Sequence, residues 1–396
     1  MPVTATQTPA FLSARIMELA CKVLGGTDLS REEAREVAAV DPMSDEFFDL
    51  LFWANKIRIA RHGRSVHFCS IVTGKVGGCS EDCSYCSQSS AHKTHVKPAV
   101  MSVAEMEKAG HEALASGASS FGIVNSGWGP TDKELDWMEP FFKKTAEEGK
   151  VRPCATLGHL SPEHAKRLRG MGVERVNHNL EASERHFPSI CSTHTYADRV
   201  NTIRNAKAAG LSICSGGIFG MGEKWEDRID MALALRDLDV DVVPINFLFS
   251  IDGTRIHGTV TQLEPREALQ IIAVYRFLLP TKELKIAGGR EKVLRDMQSW
   301  IFFAGGSSFL IGNYLTTFGR TPKQDHQMLK DLGVSFHLYN EMEVRADPDA
   351  VPGAGPGAEG VAGAEATYMQ RKSGGRVVAL EVAQPALSGG GGCCGK

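Results

Sequence analysis

The sequence predicts a (β/α)8 barrel. Three observations carry this. Eight short apolar runs recur between residues 65 and 315: His67–Val72, Ser120–Val124, Arg152–Leu157, Arg175–Leu180, Leu211–Ile218, Val242–Phe249, Leu284–Ala287 and Ser308–Ile311. Stretches of helical periodicity separate them, as in Val103–Ala115, Pro162–Met171 and Asp198–Ala209. Polar residues cluster where these runs end, and barrel enzymes keep their chemistry at the C-terminal ends of the strands. The competing architecture is an open doubly wound sheet. That fold more often shows a Gly-rich phosphate fingerprint after its first strand.

Taken in order, residues 1–60 read as a helical N-terminal extension. Ser30 stands before Arg31-Glu32-Glu33 as an N-cap. Residues 61–340 form the barrel. Within it, Ser161-Pro162 is a helix start, and Gly170 and Gly210 are stops. Residues 341–396 change character. Asp347–Ala366 is mostly Ala, Gly, Pro, Asp and Glu and cannot bury enough apolar surface to fold alone. The chain ends Gly389-Gly390-Gly391-Gly392-Cys393-Cys394-Gly395-Lys396, which reads as a disordered, Gly-rich tether with two thiols at its tip.

Bulk composition excludes several classes. With a net charge of −3 over 396 residues, neither a nucleic-acid nor an anionic-membrane partner is expected. No apolar run reaches membrane-spanning length. The first ten residues lack a basic region followed by an apolar stretch, so a cytoplasmic protein is expected. The ten cysteines are clustered, which suits metal ligation in a reducing compartment better than a disulfide framework.

The densest cluster is Gly77-Gly78-Cys79-Ser80-Glu81-Asp82-Cys83-Ser84-Tyr85-Cys86. Three thiolates at C-x3-C-x2-C spacing can hold three corners of a [4Fe–4S] cubane and leave the fourth iron open. An open iron facing S-adenosylmethionine is the starting point of radical chemistry. The other reading is a zinc site closed by a fourth ligand, for which His92 is the nearest candidate.

Further polar groups fall on the strands. Cys154 lies on the third, Asn177 and Asn179 on the fourth, Cys214 on the fifth and Asn246 on the sixth; Arg290 follows the seventh and Thr316-Thr317 the eighth. Asn177 and Asn179 are two apart and share a face. A strand cysteine is often no more than a small core residue. Buried asparagines need hydrogen bonds, so two on one strand favour a ligand or a network.

These stretches resemble the biotin synthase family of the radical S-adenosylmethionine superfamily. The resemblance spans residues 40–335 and rests on Gly78–Gln88, Asn177–Leu180, Cys214–Ile218, Val243–Asn246, Gly288–Glu291 and Leu315–Thr317. It implies an enzyme, a sulfurtransferase that inserts sulfur between two unactivated carbons of dethiobiotin. A saturated C–H bond offers a base no acidity, so a cofactor-derived radical must take the hydrogen atom. By this resemblance Cys79, Cys83 and Cys86 hold the radical [4Fe–4S] cluster. Tyr85, Asn179, Glu181, Arg199 and Ile218 contact S-adenosylmethionine, and Asn177, Asn246, Thr316 and Thr317 bind dethiobiotin. Implied partners are a flavodoxin or ferredoxin reductant and a cysteine desulfurase or other sulfur source, acting on a homodimer. Related enzymes of the same branch, a hydrogenase-cofactor maturase or a pyrrolysine-precursor mutase, share the first cluster loop. A non-catalytic iron–sulfur or sulfur carrier is a third possibility.

One departure stands out. The family holds an auxiliary [2Fe–2S] cluster with three cysteines and an arginine, and Cys154, Cys214 and Arg290 are the matching residues here. The remaining cysteine belongs in the second strand, where this chain has Gly122. Cys191 is the expected replacement, although it also reads as an unremarkable loop thiol. Cys69 reads as core, and Cys21 as buried in the lead-in helix. Cys154, Cys191 and Cys214 would then hold a [4Fe–5S]-type cubane with an exchangeable sulfide. Cys393 and Cys394 would reload it as persulfide carriers.

Overall fold

The computed structural model describes residues 13–317, 319–351, 367–371 and 377–381. Eight parallel strands form the central sheet: β1 Val66–Val76, β2 Ser120–Asn125, β3 Arg152–Thr156, β4 Arg175–Asn177, β5 Ser212–Cys214, β6 Val242–Phe247, β7 Glu283–Ile286 and β8 Ser308–Leu310. Each pairs with the next, and β8 pairs back to β1 through His67↔Ser308 and Cys69↔Leu310, which closes the barrel. All eight expected strands are present, with ends that shift by a few residues. The fifth run splits in two: after β5 the chain kinks, and Gly217–Phe219 pairs separately with β6.

The register sorts side chains into two sets. Phe68, Phe121, Ala155, Val176, Ile213, Ile245, Ile286 and Phe309 belong to one continuous buried core. Phe121, for example, meets Phe141 of the helix Asp132–Glu148. Residues one position away point into the barrel. That second set includes Cys69, Gly122, Cys154, Arg175, Asn177, Cys214 and Lys285, linked across neighbouring strands by their pairing.

Caps fix where each loop hands over to a helix. Ser102 and Glu105, Thr131 and Glu134, Thr195 and Asp198, and Thr321 and Gln324 each form a reciprocal capping box. Ser30 caps its helix through Glu33, and Ser161 caps the one opened by Pro162, both as the sequence predicts. The N-terminal helices Ala14–Leu24, Arg31–Ala38 and Glu46–His62 share the barrel's core rather than forming one of their own. Gln270 donates to the Ala38 and Val40 carbonyls, anchoring this extension to the helix Pro265–Leu278. Cys21 is exposed on its helix, not buried as the pattern suggested.

Beyond residue 340, Glu343–Arg345 pairs with Ser335–His337, and Thr367–Arg371 pairs antiparallel with Val377–Glu381. The residues expected to make up the rest of the tail, including Cys393 and Cys394, lie outside the described residues. Among the described residues no helix is long and apolar enough to cross a membrane.

One feature of the fold predicts a pH dependence. His62 Nε2 accepts from Arg276 Nη1 at 2.8 Å and must be unprotonated to do so. Burial, then the Arg276 charge, press its pKa down to about 3. An unfolded histidine takes up its proton near pH ~6.5. Below that pH the unfolded state binds more protons, so stability falls as the pH drops toward the folded value. The urea midpoint is expected to fall between about pH 7.5 and pH 5.5, and to fall less in His62→Gln, whose amide oxygen can still accept from Arg276.

Candidate active site

The cysteine loop leaves the end of β1 and crosses the barrel mouth. Gly77 and Gly78 adopt φ of 71° and 62°. A side chain on Gly77 would sit 3.1 Å from the Pro98 backbone, so the entry turn requires glycine. The Cys79 N–H donates to the Gln88 carbonyl at 3.1 Å, and its carbonyl accepts from Ser90 at 2.8 Å. The Cys86 N–H returns to the Cys83 carbonyl at 2.9 Å. These bonds gather three thiols in one closed loop, with Cys79 and Cys83 buried and Cys86 half-buried. An all-thiol donor set in this arrangement fits an iron–sulfur cluster. His92 turns its Nδ1 to the Cys86 carbonyl at 2.8 Å. Among the described residues, the ligand atoms that gather within 4.8 Å are those of Cys83, Cys191 and His194, and His92 is not among them.

Opposite the loop lie the residues expected to hold S-adenosylmethionine. Glu181 sits at φ 70°, fixed by its N–H to the Gly216 carbonyl and by the Ile218 N–H to its own carbonyl, each 3.0 Å. Its carboxylate lies 3.4 Å from Asn179 Nδ2 and 3.9 Å from Arg199 Nη1, and it accepts from the Tyr85 hydroxyl. Burial raises its pKa. Arg199 donates to the Asn179 carbonyl at 2.9 Å and stacks over Phe187, while its Nε has no hydrogen-bond partner among the described residues. A buried guanidinium with an unused donor beside a carboxylate suits the charged head of an amino acid. Ile218 and Tyr85 add an apolar wall next to Cys83 and Cys86.

The residues expected to bind dethiobiotin differ among themselves. Asn177 Oδ1 is buried without a partner among the described residues. Asn246 is already engaged: it donates to the Gly217 carbonyl at 3.1 Å and accepts from the Gly288 N–H at 2.9 Å. It therefore splices three strand ends, and one N–H and one lone pair remain for a ligand. Thr316 Oγ1 lies 3.1 Å from Ser87 Oγ, and the Thr317 carbonyl accepts from Tyr314 at 3.0 Å. This loop thus closes onto the cysteine loop.

Two expectations for the auxiliary ligands are corrected. Cys191 does not stand with Cys154 and Cys214. Its sulfur lies 3.8 Å from that of Cys83 and 3.3 Å from His194 Nδ1. The reason is local: Asp82 ties down the Ser192 N–H at 2.8 Å, and the Ser84 N–H bonds the Ile190 carbonyl at 2.7 Å. The loop bearing Cys191 is thereby clamped onto the radical-cluster loop. Donation from Cys83, then from His194 and Thr193, pulls the Cys191 thiol down to about 4. Arg290 is also misplaced. It is fully buried, pairs with Asp325 at 2.7 Å and Gln298 at 2.7 Å, and lies over Phe309. Gly289, in a left-handed turn tight against the Phe247 carbonyl, ends the strand segment and sends Arg290 into a short helix.

The sequence reading passed over the cations that do lie by the buried thiols. Lys285 Nζ is 3.5 Å from Cys69 Sγ and also donates to Cys214. Although burial opposes it, Cys214, Cys69 and Glu283 hold the lysine in its charged form. Arg175 acts on both Cys154 and Cys214. Burial pushes the Cys154 thiol up to about 12. The alternation of Arg175 with Asn177, and of Lys285 with Glu283, was the available signal.

Comparison with known proteins accords with this geometry. The Radical SAM superfamily matches residues 75–235, and the Biotin and Thiamin Synthesis associated domain matches 244–335. Biotin synthase of Gloeothece citriformis is 44% identical over 340 residues, 84% of this chain and 94% of the relative. Biotin synthase of Pelobacter propionicus is 45% identical over 322 residues, 81% and 97% of the two chains. Among solved structures, methylornithine synthase superposes with a TM-score of 0.71 at 18% identity, over 80% of this chain and 96% of that one. The hydrogenase maturase HydG gives 0.71 at 14% identity, over 82% and 76%. These two likenesses establish the barrel fold. The two relatives, aligned over more than four-fifths of this chain, place it in the biotin synthase family of radical S-adenosylmethionine enzymes.

Proposed function

We infer that the protein converts dethiobiotin to biotin, using S-adenosylmethionine and a sulfur atom from an auxiliary iron–sulfur centre. The observation that carries this reading is vertical order in the barrel. A thiol loop and a charged amino-acid site lie at the mouth, the unsatisfied amide of Asn177 lies in register with Cys214, and Cys154 lies one inward position deeper, in register with Arg175. When bound to a reduced [4Fe–4S] cluster, S-adenosylmethionine supplies hydrogen-atom abstraction from saturated carbon.

The residues then divide the work. Cys79, Cys83 and Cys86 hold the cluster. Arg199 and Glu181 receive the carboxylate and amino groups of the cofactor, while Ile218 and Tyr85 exclude water. Asn177 meets the neutral ureido ring of dethiobiotin, with Asn246, Thr316 and Thr317 around it. A flavodoxin or ferredoxin reductant, a sulfur source such as a cysteine desulfurase, a homodimer and a cytoplasmic setting complete the reading.

The test is formation of 5′-deoxyadenosine by the reduced holoprotein with and without dethiobiotin. Dethiobiotin is expected to stimulate it, with one abstraction for each C–S bond of the biotin formed. Stimulation by a different substrate, with no biotin, would overturn the reading. Asn177→Ala removes one hydrogen bond from a site that excludes water, at a cost of about 1–3 kcal/mol. It is expected to raise the KM for dethiobiotin while leaving that for S-adenosylmethionine near normal.

A further inference from the structure

We propose that Cys69, Cys154 and Cys214 are the thiolate ligands of the auxiliary iron–sulfur centre, and that Lys285 is the cation held against it. The proposal rests on the functional reading above but stands on the barrel interior alone. Barrel interiors are ordinarily filled by branched aliphatic side chains. Here the inward positions of β1, β3, β4, β5 and β7 carry Cys69, Cys154, Arg175, Cys214 and Lys285, all buried. Strand register puts them on one lining. Cys69 and Gly122 lie on the inward faces of β1 and β2, Gly122 pairs with Cys154, and Cys154 with Arg175. Lys285 Nζ lies 3.5 Å from Cys69 Sγ, Cys154 is in register with Arg175, and Cys214 with Asn177, two residues further along the same strand.

Charge supplies an independent argument. Arg175 and Lys285 face the interior with Glu283 as their carboxylate. Two cations against one anion leave a buried surplus of positive charge. Such a surplus is expensive unless something anionic shares the space. Lys285 reaches Cys69 and Cys214 rather than another carboxylate. A thiolate-ligated cluster carries the missing negative charge.

The neighbouring strand adds no bulk at this level. Gly122 presents no side chain between Ile71 and Cys154: a Cβ there would sit 3.4 Å from Ile71 Cγ2 and 3.5 Å from Cys154 Cβ. The glycine keeps side-chain atoms off the inward face beside Cys154, where a Cβ would already be in van der Waals contact with that cysteine. Cys191 cannot serve, because it is held against Cys83 outside this lining.

The experiment is iron and sulfide analysis with Mössbauer spectroscopy on anaerobically isolated holoprotein. Cys69→Ala is expected to lose the iron and the spectral components of the auxiliary centre while keeping those of the radical cluster. Cys69→Ser, nearly isosteric, is expected to lose them too, since a hydroxyl is a poor substitute for thiolate. Cys191→Ala is expected to retain both centres. Lys285→Met is expected to keep auxiliary iron but make that centre harder to reduce, because a compensating charge is gone. Full auxiliary iron in Cys69→Ala would overturn the proposal. So would loss of both centres in Cys69→Ser, which would mark the residue as structural. Failure of the wild type to make biotin would count against the functional reading and leave the ligand count standing.

Discussion

Cys83→Ala is expected to abolish reductive cleavage of S-adenosylmethionine while auxiliary iron stays in place. Cys83 is one of three thiols in a loop that backbone hydrogen bonds close on itself, so the loop itself has no further thiol to put in its place. Among the described residues the candidates within reach are Cys191, 3.8 Å away, and His194, whose ring nitrogen lies within 4.8 Å of both sulfurs. Ligation by Cys191 would require the Asp82 clamp on Ser192 and Thr193 to release. The measurement is 5′-deoxyadenosine formed per chain with dithionite as reductant. A normal rate would disprove the assignment of this loop. A small residual rate that vanishes in Cys83→Ala/Cys191→Ala would identify Cys191 as an emergency ligand. The auxiliary centre should survive because its thiols lie on the barrel strands, away from the loop.

Much of this was legible in the sequence, for physical reasons. Outward strand positions must be apolar to meet the helices, so runs such as Phe121 to Val124 announce themselves. Helix starts were equally readable, because Ser30 and Ser161 cap through short-range bonds that depend on neighbours in sequence. The radical-cluster loop is local too: glycine entry and thiol spacing both lie within ten residues.

The auxiliary ligands were less legible because they come from several strands. The immediate sequence neighbours of Cys191 and Cys69 do not tell a ligand from a core thiol. The relevant fact is parity across the sheet. Phe68 and Phe309 meet at 4.9 Å between ring centroids in the outer core, so Cys69, one position on, must face inward. Arg290 misled for a related reason. Its motif is distinctive, but Gly288 and Gly289 end the strand before it, and Lys285 is the last cation still on the inward face.

The second large effect follows from where Arg290 actually lies. Arg290 and Asp325 are both fully buried, 2.7 Å apart, with Arg320 completing the group at 3.1 Å. Asp325→Ala takes from Arg290 its fully buried partner and leaves it only the partly exposed Glu291, at 3.3 Å, as a carboxylate among the described residues. Breaking a buried pair from one side costs about 3–5 kcal/mol when the remaining charge is left unpaired, and the Glu291 carboxylate that stays beside Arg290 places the expected cost at the lower end of that range. A marked drop in the urea midpoint is therefore expected, measured anaerobically on the holoprotein. Arg290→Met/Asp325→Leu removes both charges and fills the space with apolar groups. It should recover most of the loss, because the partly exposed Arg320 can turn to water. The double variant also decides the role of the arginine. As a structural residue it can be replaced with auxiliary iron unchanged, whereas an iron ligand cannot. Loss of auxiliary iron in a double variant of near-normal stability would return Arg290 to the ligand set and remove Lys285 from its place beside the centre.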